Sequence, residues 1–182
     1  MLLEAAVACL IIGRIAGGRF HRFSRLPVRA LWLFAIGFAL QVVASLPFML
    51  PAAPAVRIVS YLFLFAGVLA NWSLWELRIA GLGVLLNFLV ITANGGKMPT
   101  SPAALARIDR PAVAAAVRSG RHPRNSLMTD HTRLAFLCDR LLIPAPYPRP
   151  DVFSLGDVVL TIGVCALIFR GMGSFAPSRP SS

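Results

Sequence analysis

The sequence predicts an all-α integral membrane protein with about five transmembrane helices. Hydrophobic residues make up 57% of the 182 residues and charged residues only 14%, whereas about a quarter of the residues of a soluble domain are charged. The apolar residues are concentrated in blocks whose lengths approach the roughly 20 residues that a helix needs to cross a bilayer. These blocks lack the period-two alternation of strands, so helical spans are favoured.

Five apolar blocks define the predicted spans, namely 2–17, 28–50, 56–73, 79–93 and 155–172. The second, third and fifth blocks fit a hydrocarbon core about 30 Å thick, whereas the first and fourth are short. The first block lacks a basic segment before it and a cleavage site after it, so we expect a retained helix rather than a signal peptide. The blocks predict a single transmembrane domain, 1–172, followed by a disordered tail, 173–182.

A polar segment, 94–154, separates the fourth and fifth spans and is predicted to carry short surface helices. Ser and Pro at its start predict a helix over 101–107, and a second proline predicts another over 112–118. Residues 132–142 place leucines at helical spacing and predict an amphipathic helix on the bilayer or on the bundle. The proline-rich stretch 143–150 predicts an extended connector.

The charge of the chain favours membrane lipids as partners. The net charge is +11, and seventeen of the eighteen basic residues are arginine. In a membrane protein this indicates contact with anionic headgroups, and no motif for binding nucleic acid accompanies it. Five arginines near the first loop place that loop in the cytoplasm of a bacterial cell, with the N-terminus outside and the C-terminus inside. The nine basic residues of the long segment argue for the opposite orientation.

The turn Asn94-Gly95-Gly96-Lys97 follows the fourth block and supports two interpretations. Glycine and asparagine adopt positive φ at little cost, and successive N–H groups in such a turn can bind an anion. Lys97 adds a charge, the helix start near Ser101 adds N–H groups, and the short fourth block, about 22 Å long, places the turn at headgroup depth. These features predict an anion or lipid-headgroup site. The alternative is a helix C-cap with Lys97 extending to the surface.

Four other polar residues are candidates for a structural or functional role. Asn87 lies within the fourth block, where an amide needs a partner on another helix or lines a substrate path. Asp157 follows Ser154 and predicts a capping box, with proton or cation handling as the alternative. Asp130 and Asp139 lie in the long segment, and an N-cap explains Asp130.

The sequence predicts no catalytic residue, metal or cofactor. Cys9, Cys138 and Cys165 form no CxxC pair, so neither a metal cluster nor a disulfide framework is expected. The acidic and histidine residues of the long segment match no metal-ligand spacing. No motif typical of a nucleophile elbow surrounds any serine.

Several motifs follow one another in a fixed order. N-G-G-K-M-P-x-S-P follows a hydrophobic span, T-D-x-T-R-L-x-F-L-x-D comes next, and I-P-x-P and F-S-x-G-D precede the last span. This order resembles a family of small bacterial membrane proteins of unknown function. The resemblance covers nearly the whole chain and implies a polytopic architecture, but it implies no activity. The residues that carry it are Asn94, Gly95, Gly96, Met98, Pro99, Thr129, Asp130, Thr132, Leu134, Leu137, Asp139, Pro144, Ser154, Gly156 and Asp157.

Three functions are compatible with these features. The first is the binding or transport of an anionic lipid or a lipid-linked phosphate. The second is a role as an accessory or structural subunit beside other membrane proteins, which the small-residue stripe of the first block supports. The third and weakest is a membrane enzyme, because no two of Asp130, His131, Asp139 and Asp157 can be placed together from the sequence alone.

Overall fold

The computed structural model describes residues 2–46, 49, 51–108, 110–143 and 150–173. Five apolar helices dominate it: α1 (Leu2–Ile15), α2 (Leu31–Val43), α3 (Ala53–Ala70), α4 (Trp75–Ala93) and α7 (Leu155–Met172). Two short helices, α5 (Pro102–Arg107) and α6 (Pro111–Arg118), lie between α4 and α7. Four three-residue strands accompany them: β1 (Met98–Thr100), β2 (Asn125–Leu127), β3 (Leu141–Ile143) and β4 (Asp151–Phe153).

The five long helices run back and forth across the bundle. α2 packs against α3, α3 against α4, α4 against α7, and α7 against α1. This order places the segment 94–154 at one end of the bundle, beside the starts of α3 and α7 and the ends of α2 and α4. We call it the loop end. At the opposite end, the N–H of Arg19 donates to the carbonyl of Met172 at 2.9 Å, which ties the basic first loop to the end of α7.

Three of the described helices, α3, α4 and α7, are long and apolar enough to span a membrane. α1 has 14 residues and α2 has 13, which is fewer than the roughly 20 that a span needs. α2 is much shorter than the predicted span 28–50. The backbone of Ala30 is left-handed, with φ 49°, directly before α2 begins, and the helix ends at Val43 in a turn.

α4 is longer than the sequence predicts. The predicted span 79–93 omitted its first turn, but α4 begins at Trp75 and has 19 residues, which correspond to about 28 Å. The difference arises at Glu76, whose fully buried carboxylate pairs with Arg170 of α7 at 2.9 Å. A carboxylate that is paired with a cation in this way can be buried between helices, whereas burial of an unpaired carboxylate strongly destabilises the fold. The headgroup depth predicted for the Asn94 turn rested on a short fourth helix and loses that support.

Glycines bring α4 and α7 into close contact. A Cβ atom at Gly83 would meet the main chain of Leu160, and one at Gly163 would meet the main chain of Ala80. Helices approach this closely only where side chains are absent. The contact holds Asn87 of α4 beside the first turn of α7.

A disulfide bond between Cys9 and Cys165 joins α1 to α7, with Cα atoms 5.7 Å apart. This pairing departs from the expectation that the cysteines form no disulfide framework. The two residues are 156 positions apart and meet because α1 and α7 pack side by side, which no spacing rule indicates. Cys138 is a buried free thiol, and burial raises its pKa to about 11.

The long segment mixes short helices with strands. α5 and α6 occupy the positions where the sequence predicts two short helices, and β1 pairs in parallel with β2. The amphipathic helix predicted over 132–142 is wrong. Leu134 has a left-handed backbone, with φ 53°, only Ala135–Leu137 forms a short 3-10 turn, and β3 pairs antiparallel with β4. The pairing of β3 with β4 and the bridge between Thr100 and Asp139 outweigh the local helical spacing.

Two predicted segments lie largely outside the described residues. These are the extended connector over 143–150, of which 144–149 are not described, and the disordered tail over 173–182, of which 174–182 are not described.

Enlarging Gly163 to alanine is expected to lower the stability of the fold, because the added methyl meets the main chain of Ala80. Overpacking of this kind costs roughly 1–3 kcal/mol. The apparent melting temperature of the purified protein in detergent measures the effect. Ala39→Val adds bulk on an exposed face of α2 and serves as the matched control. Equal melting temperatures for Gly163→Ala and the wild type would contradict the packing described.

Reducing the Cys9–Cys165 bond is expected to destabilise the protein. A cross-link that closes so long a loop contributes about 4–5 kcal/mol in the chain-entropy treatment. Melting curves of the wild type with and without a membrane-permeant reductant provide the measurement. The double variant Cys9→Ser, Cys165→Ser should melt like the reduced protein and be insensitive to reductant. A reductant effect of the same size in that variant would argue against the bond.

Candidate functional site

A polar cavity lies at the loop end, between the helices and the long segment, with a volume of about 530 Å³. Its walls come from α2, α3, α4 and α7, from Leu2 at the start of α1, and from residues of the long segment. A cavity of this size falls within the range of small-ligand sites, about 300–1,000 Å³. The charged side chains of its lining are Arg57, Arg110, Arg124, Asp139, Asp151 and Asp157.

Asp157 enters the cavity wall from the first turn of α7 and is held in place by α4. The Nδ2 of Asn87 donates to Oδ1 of Asp157 at 2.8 Å, and the Oγ of Ser154 donates to Oδ1 of Asn87 at 2.8 Å. Ser154 also accepts from the N–H of Asp157 at 3.0 Å, while its own N–H donates to the Asp157 carboxylate at 3.1 Å. The capping box and the buried amide therefore form one network that fixes the carboxylate.

Asp139 lies just before β3 and is only 6% exposed. Its Oδ2 accepts from Nδ2 of Asn125 at 2.8 Å. Its Oδ1 is buried and has no hydrogen-bond partner within the described part of the chain. Burial, followed by the nearby carboxylate of Asp157, raises the pKa of Asp139 well above its ordinary value. The side chain therefore stays a neutral acid to higher pH than an ordinary aspartate, with one oxygen available to a ligand.

Arg57 enters the cavity wall from the second turn of α3 and is only 2% exposed. Its guanidinium donates to three main-chain carbonyls, those of Gly96, Pro123 (3.1 Å) and Ala44 (3.5 Å). All three partners are uncharged. A buried guanidinium that is bound only by neutral groups keeps its full charge in a site of low dielectric constant, which is costly unless an opposite charge comes near.

Arg124 and His122 lie beside Arg57. The guanidinium groups of Arg57 and Arg124 are close enough to repel each other. The Nδ1 of His122 accepts from the N–H of Asn125 at 3.0 Å. Burial, followed by the charge of Arg124, lowers the pKa of His122, so this imidazole is neutral at neutral pH. We call Arg57 and Arg124 the cationic side of the cavity and Asp139 and Asp157 the acidic side.

The lining continues along the helices as an apolar wall. Leu64 of α3, Val84 of α4 and Leu160 of α7 contribute to it, together with Phe38 of α2. Phe38 is 50% exposed, so the wall reaches the outer surface of the bundle beside α2. The cavity thus combines a charged region with an apolar extension.

Residues 25–169 match a family of unknown function (DUF5317). The chain belongs to this family. An uncharacterized protein of Thermotoga maritima is 24% identical over 164 residues, which cover 90% of this chain and 88% of the relative. No solved structure matches the chain. All charged residues of the cavity lie within the region that matches DUF5317, whereas Cys9 of the disulfide precedes that region.

Much of the polar capacity of the predicted turn is used within the protein. The Oδ1 of Asn94 accepts from the N–H of Arg133 at 3.0 Å, and Nζ of Lys97 donates to the carbonyl of Gly120 at 2.8 Å. Gly95 has the positive φ, 71°, that the sequence predicts for this turn. These contacts favour the C-cap interpretation, and anion binding at the turn stays a prediction.

Gly96 and Ser101 serve the cavity indirectly. The N–H of Gly96 donates to the carbonyl of Ile91 at 2.7 Å, which closes the end of α4. Its carbonyl accepts from Arg57. The N–H of Ser101 donates to the main-chain carbonyl of Asp139 at 2.9 Å. The turn therefore positions the two ionisable groups from which the cavity is built.

Three of the predicted candidates, Asn87, Asp139 and Asp157, line the same cavity. Asp130 is exposed in the long segment and does not belong to the lining. Of the four residues considered for catalysis, Asp139 and Asp157 line the same cavity, whereas Asp130 and His131 do not. Among the described residues, no group of three or more His, Cys, Asp and Glu side chains is placed to hold a metal ion.

The cationic side of the cavity was missed by sequence reasoning. Arg57 stands within the predicted span 56–73, and an ionisable residue inside an apolar block is by itself a signal of function. Arg124 offers no comparable signal, because it is one of many arginines in the long segment. Only the contact between α3 and residues 123–125 singles it out.

Asp139→Asn is expected to stabilise the protein at neutral and alkaline pH. Because the folded-state pKa of Asp139 is raised above the ordinary 3.8, ionisation weakens folding as pH rises from that value through the folded-state pKa. Asparagine keeps an acceptor for Asn125 and cannot ionise. Melting temperatures across a pH series should show an advantage for the variant that shrinks as pH falls. Asp130→Asn, on an exposed residue, is the control, and a pH-independent difference for Asp139→Asn would contradict the assignment.

Proposed function

We propose that this protein is a multi-pass membrane protein that binds the anionic head of an amphiphile, such as an anionic lipid or a lipid-linked phosphate, in the loop-end cavity. The observation that carries the proposal is the buried guanidinium of Arg57, whose partners among the described residues are all main-chain carbonyls. An anion in the cavity supplies the opposite charge that these neutral partners do not.

The neighbouring Arg124 strengthens this argument. Two guanidinium groups that repel each other raise the free energy of the empty cavity. An anionic group placed between them replaces this repulsion with two attractions. Arginine suits the task because its planar N–H groups match phosphate and carboxylate oxygens in pairs.

The apolar wall supports an amphiphile rather than a small soluble anion. The lining that begins at Arg57 continues through Leu64 and Val84 to the half-exposed Phe38. A hydrocarbon chain can follow this path from the cavity to the lipid outside α2 while its head stays between the arginines. Transport of the same ligand would require a second conformation in which the cavity opens elsewhere.

We further propose that α1 and α2 lie in the membrane together with α3, α4 and α7, as five spans of unequal length. Large apolar side chains cover their outer surfaces, with Leu3 74%, Ile15 81%, Leu31 64% and Val42 65% exposed. Such surfaces are stable against lipid but not against water. The two short helices flank the cavity, so the bilayer near it is expected to be thinned and the lipid heads brought close.

The arginines of the first loop support a position in a bacterial inner membrane with that loop in the cytoplasm. They lie at the end of the bundle opposite the cavity. In this orientation the N-terminus and the loop end face outward, the C-terminus faces the cytoplasm, and the cavity is reached from the outer leaflet.

Arg124→Gln is expected to weaken the binding of an anionic lipid roughly tenfold, equivalent to about 1.4 kcal/mol. The substitution removes one charge of the cationic side, while the residue itself is exposed and therefore unimportant for packing. Native mass spectrometry of the detergent-purified full chain, titrated with dioleoyl phosphatidic acid, gives the affinity.

Arg118→Gln is the matched control, because Arg118 is exposed on α6 and lies outside the cavity lining. Its affinity should equal that of the wild type. An equal loss in both variants would show that binding depends on total surface charge, and no loss in Arg124→Gln would remove the proposed site.

A further inference from the structure

The acidic side of the cavity does not suit a ligand that is purely anionic. Asp139 and Asp157 line the same space as Arg57 and Arg124. A phosphate bound by the arginines would share the cavity with two carboxyl groups, and like charges repel strongly in a buried site. The ligand must therefore carry something that these carboxyl groups can bind.

The carboxyl groups have acceptor capacity to offer. Each carboxylate oxygen can accept about two hydrogen bonds. Oδ1 of Asp157 accepts from Asn87, and Oδ2 accepts from the N–H of Ser154. Oδ1 of Asp139 is buried and has no partner among the described residues. A donor that enters the cavity would satisfy this buried oxygen, whose unpaired state is destabilising.

Two of the opposite charges, those of Arg57 and Asp157, lie on different helices, whereas Arg124 and Asp139 both belong to the long segment. Arg57 stands on α3 and Asp157 on α7, and α4 packs against both. Asn87 of α4 lies in the cavity wall between them. The cavity therefore presents both cationic and acidic groups to a single ligand.

We infer that the head bound in this cavity is itself dipolar and joins a phosphate to a primary amine, as in a phosphoethanolamine head. The inference rests on the proposed function, whose anion site becomes one side of the cavity. The phosphate lies against Arg57 and Arg124, and the ammonium donates to Asp139 and Asp157. Phosphoethanolamine also exists as a soluble compound, and the apolar wall beside Phe38 favours the lipid over that source.

Binding of the ammonium is coupled to a proton. The groups that act on Asp139 are Asp157 from α7, Asp151 from β4, Asn125 from β2 and Arg124 before β2. In the empty cavity, burial and Asp157 raise the pKa of Asp139 and keep it protonated to higher pH. An ammonium beside the carboxyl favours its ionised form, so the proton leaves Asp139 for solvent as the head enters. Affinity for the amine-bearing head should then fall as pH is lowered.

The decisive experiment compares lipids that differ only in the head. The detergent-purified full chain is titrated with the dioleoyl forms of phosphatidylethanolamine, phosphatidylcholine, phosphatidylglycerol and phosphatidic acid, and binding is followed by native mass spectrometry. Phosphatidylcholine keeps the positive charge but has lost all N–H donors. We expect phosphatidylethanolamine to bind at least tenfold more tightly than phosphatidylcholine. The wild-type series decides the question even if a variant fails to fold.

Variants then locate the amine. Asp139→Asn should weaken the binding of phosphatidylethanolamine about tenfold, while Asp130→Asn, on an exposed loop residue, should leave it unchanged. For phosphatidic acid, which has no amine, Asp139→Asn should leave the affinity unchanged or raise it. A loss of affinity for both lipids in this variant would overturn the placement of the amine at Asp139.

The outcomes separate the two proposals. If phosphatidic acid and phosphatidylglycerol bind as tightly as phosphatidylethanolamine and lose affinity in Arg124→Gln, the dipolar head is refuted and the anion site stands. If no phospholipid binds, both proposals fail. If soluble O-phosphoethanolamine displaces bound phosphatidylethanolamine at equal concentration, the head chemistry is supported and the lipid source is refuted.

Discussion

The binding of the Arg57 guanidinium to three carbonyls is the interaction on which the loop end depends. It joins α3 to the turn after α2, to the turn after α4 and to the strand-bearing segment, through Ala44, Gly96 and Pro123. No other described side chain bonds to so many separate segments. A lysine could not replace it, because one ammonium lacks the planar spread of N–H groups that reaches carbonyls in different directions. The same geometry leaves the charge of Arg57 uncompensated, so one interaction both assembles the cavity and determines what the cavity attracts.

The opposite wall has a different physical origin. α4 and α7 approach closely at Gly83 and Gly163, and only this approach lets Asn87 bind Asp157 and Ser154 at once. Along α7, the capping box directs the carboxylate toward α4 rather than into solvent. The close contact of α4 with α7, the Asn87 amide and the capping box of α7 therefore together hold the Asp157 carboxylate. Loosening the helix contact would release the carboxylate even though none of the glycines lines the cavity.

The sequence predicts the mostly helical fold and the three helices, α3, α4 and α7, that are long and apolar enough to span a membrane, because apolar blocks in lipid leave little choice of fold. It predicts boundaries less well wherever a distant partner changes the cost of a polar group. From the sequence, Glu76 is predicted to lie in a turn. In the structure Arg170 pairs with it, and α4 begins one helical turn earlier than predicted. Leu134 and Leu137 follow helical spacing, but β3 pairs with β4 and the helix does not form. Asn87, Asp139 and Asp157 were found as polar residues in unusual places. Their convergence is not predicted, since it depends on contacts such as that between Asn87 and Asp157, 70 positions apart, which no local pattern encodes.

The cavity also shows why stability and binding are expected to be coupled in this protein. A repelled pair of guanidinium groups and a buried carboxyl oxygen without a partner both raise the free energy of the empty state. Marginal stability leaves little room for such costs unless they are relieved for part of the time. A ligand that satisfies both groups binds the folded state alone and stabilises it by mass action. The polar groups that destabilise the protein when the cavity is empty are thus the groups through which a bound ligand would stabilise it. This follows from the placement of two arginines and a buried carboxyl oxygen without a partner among the described residues around one cavity.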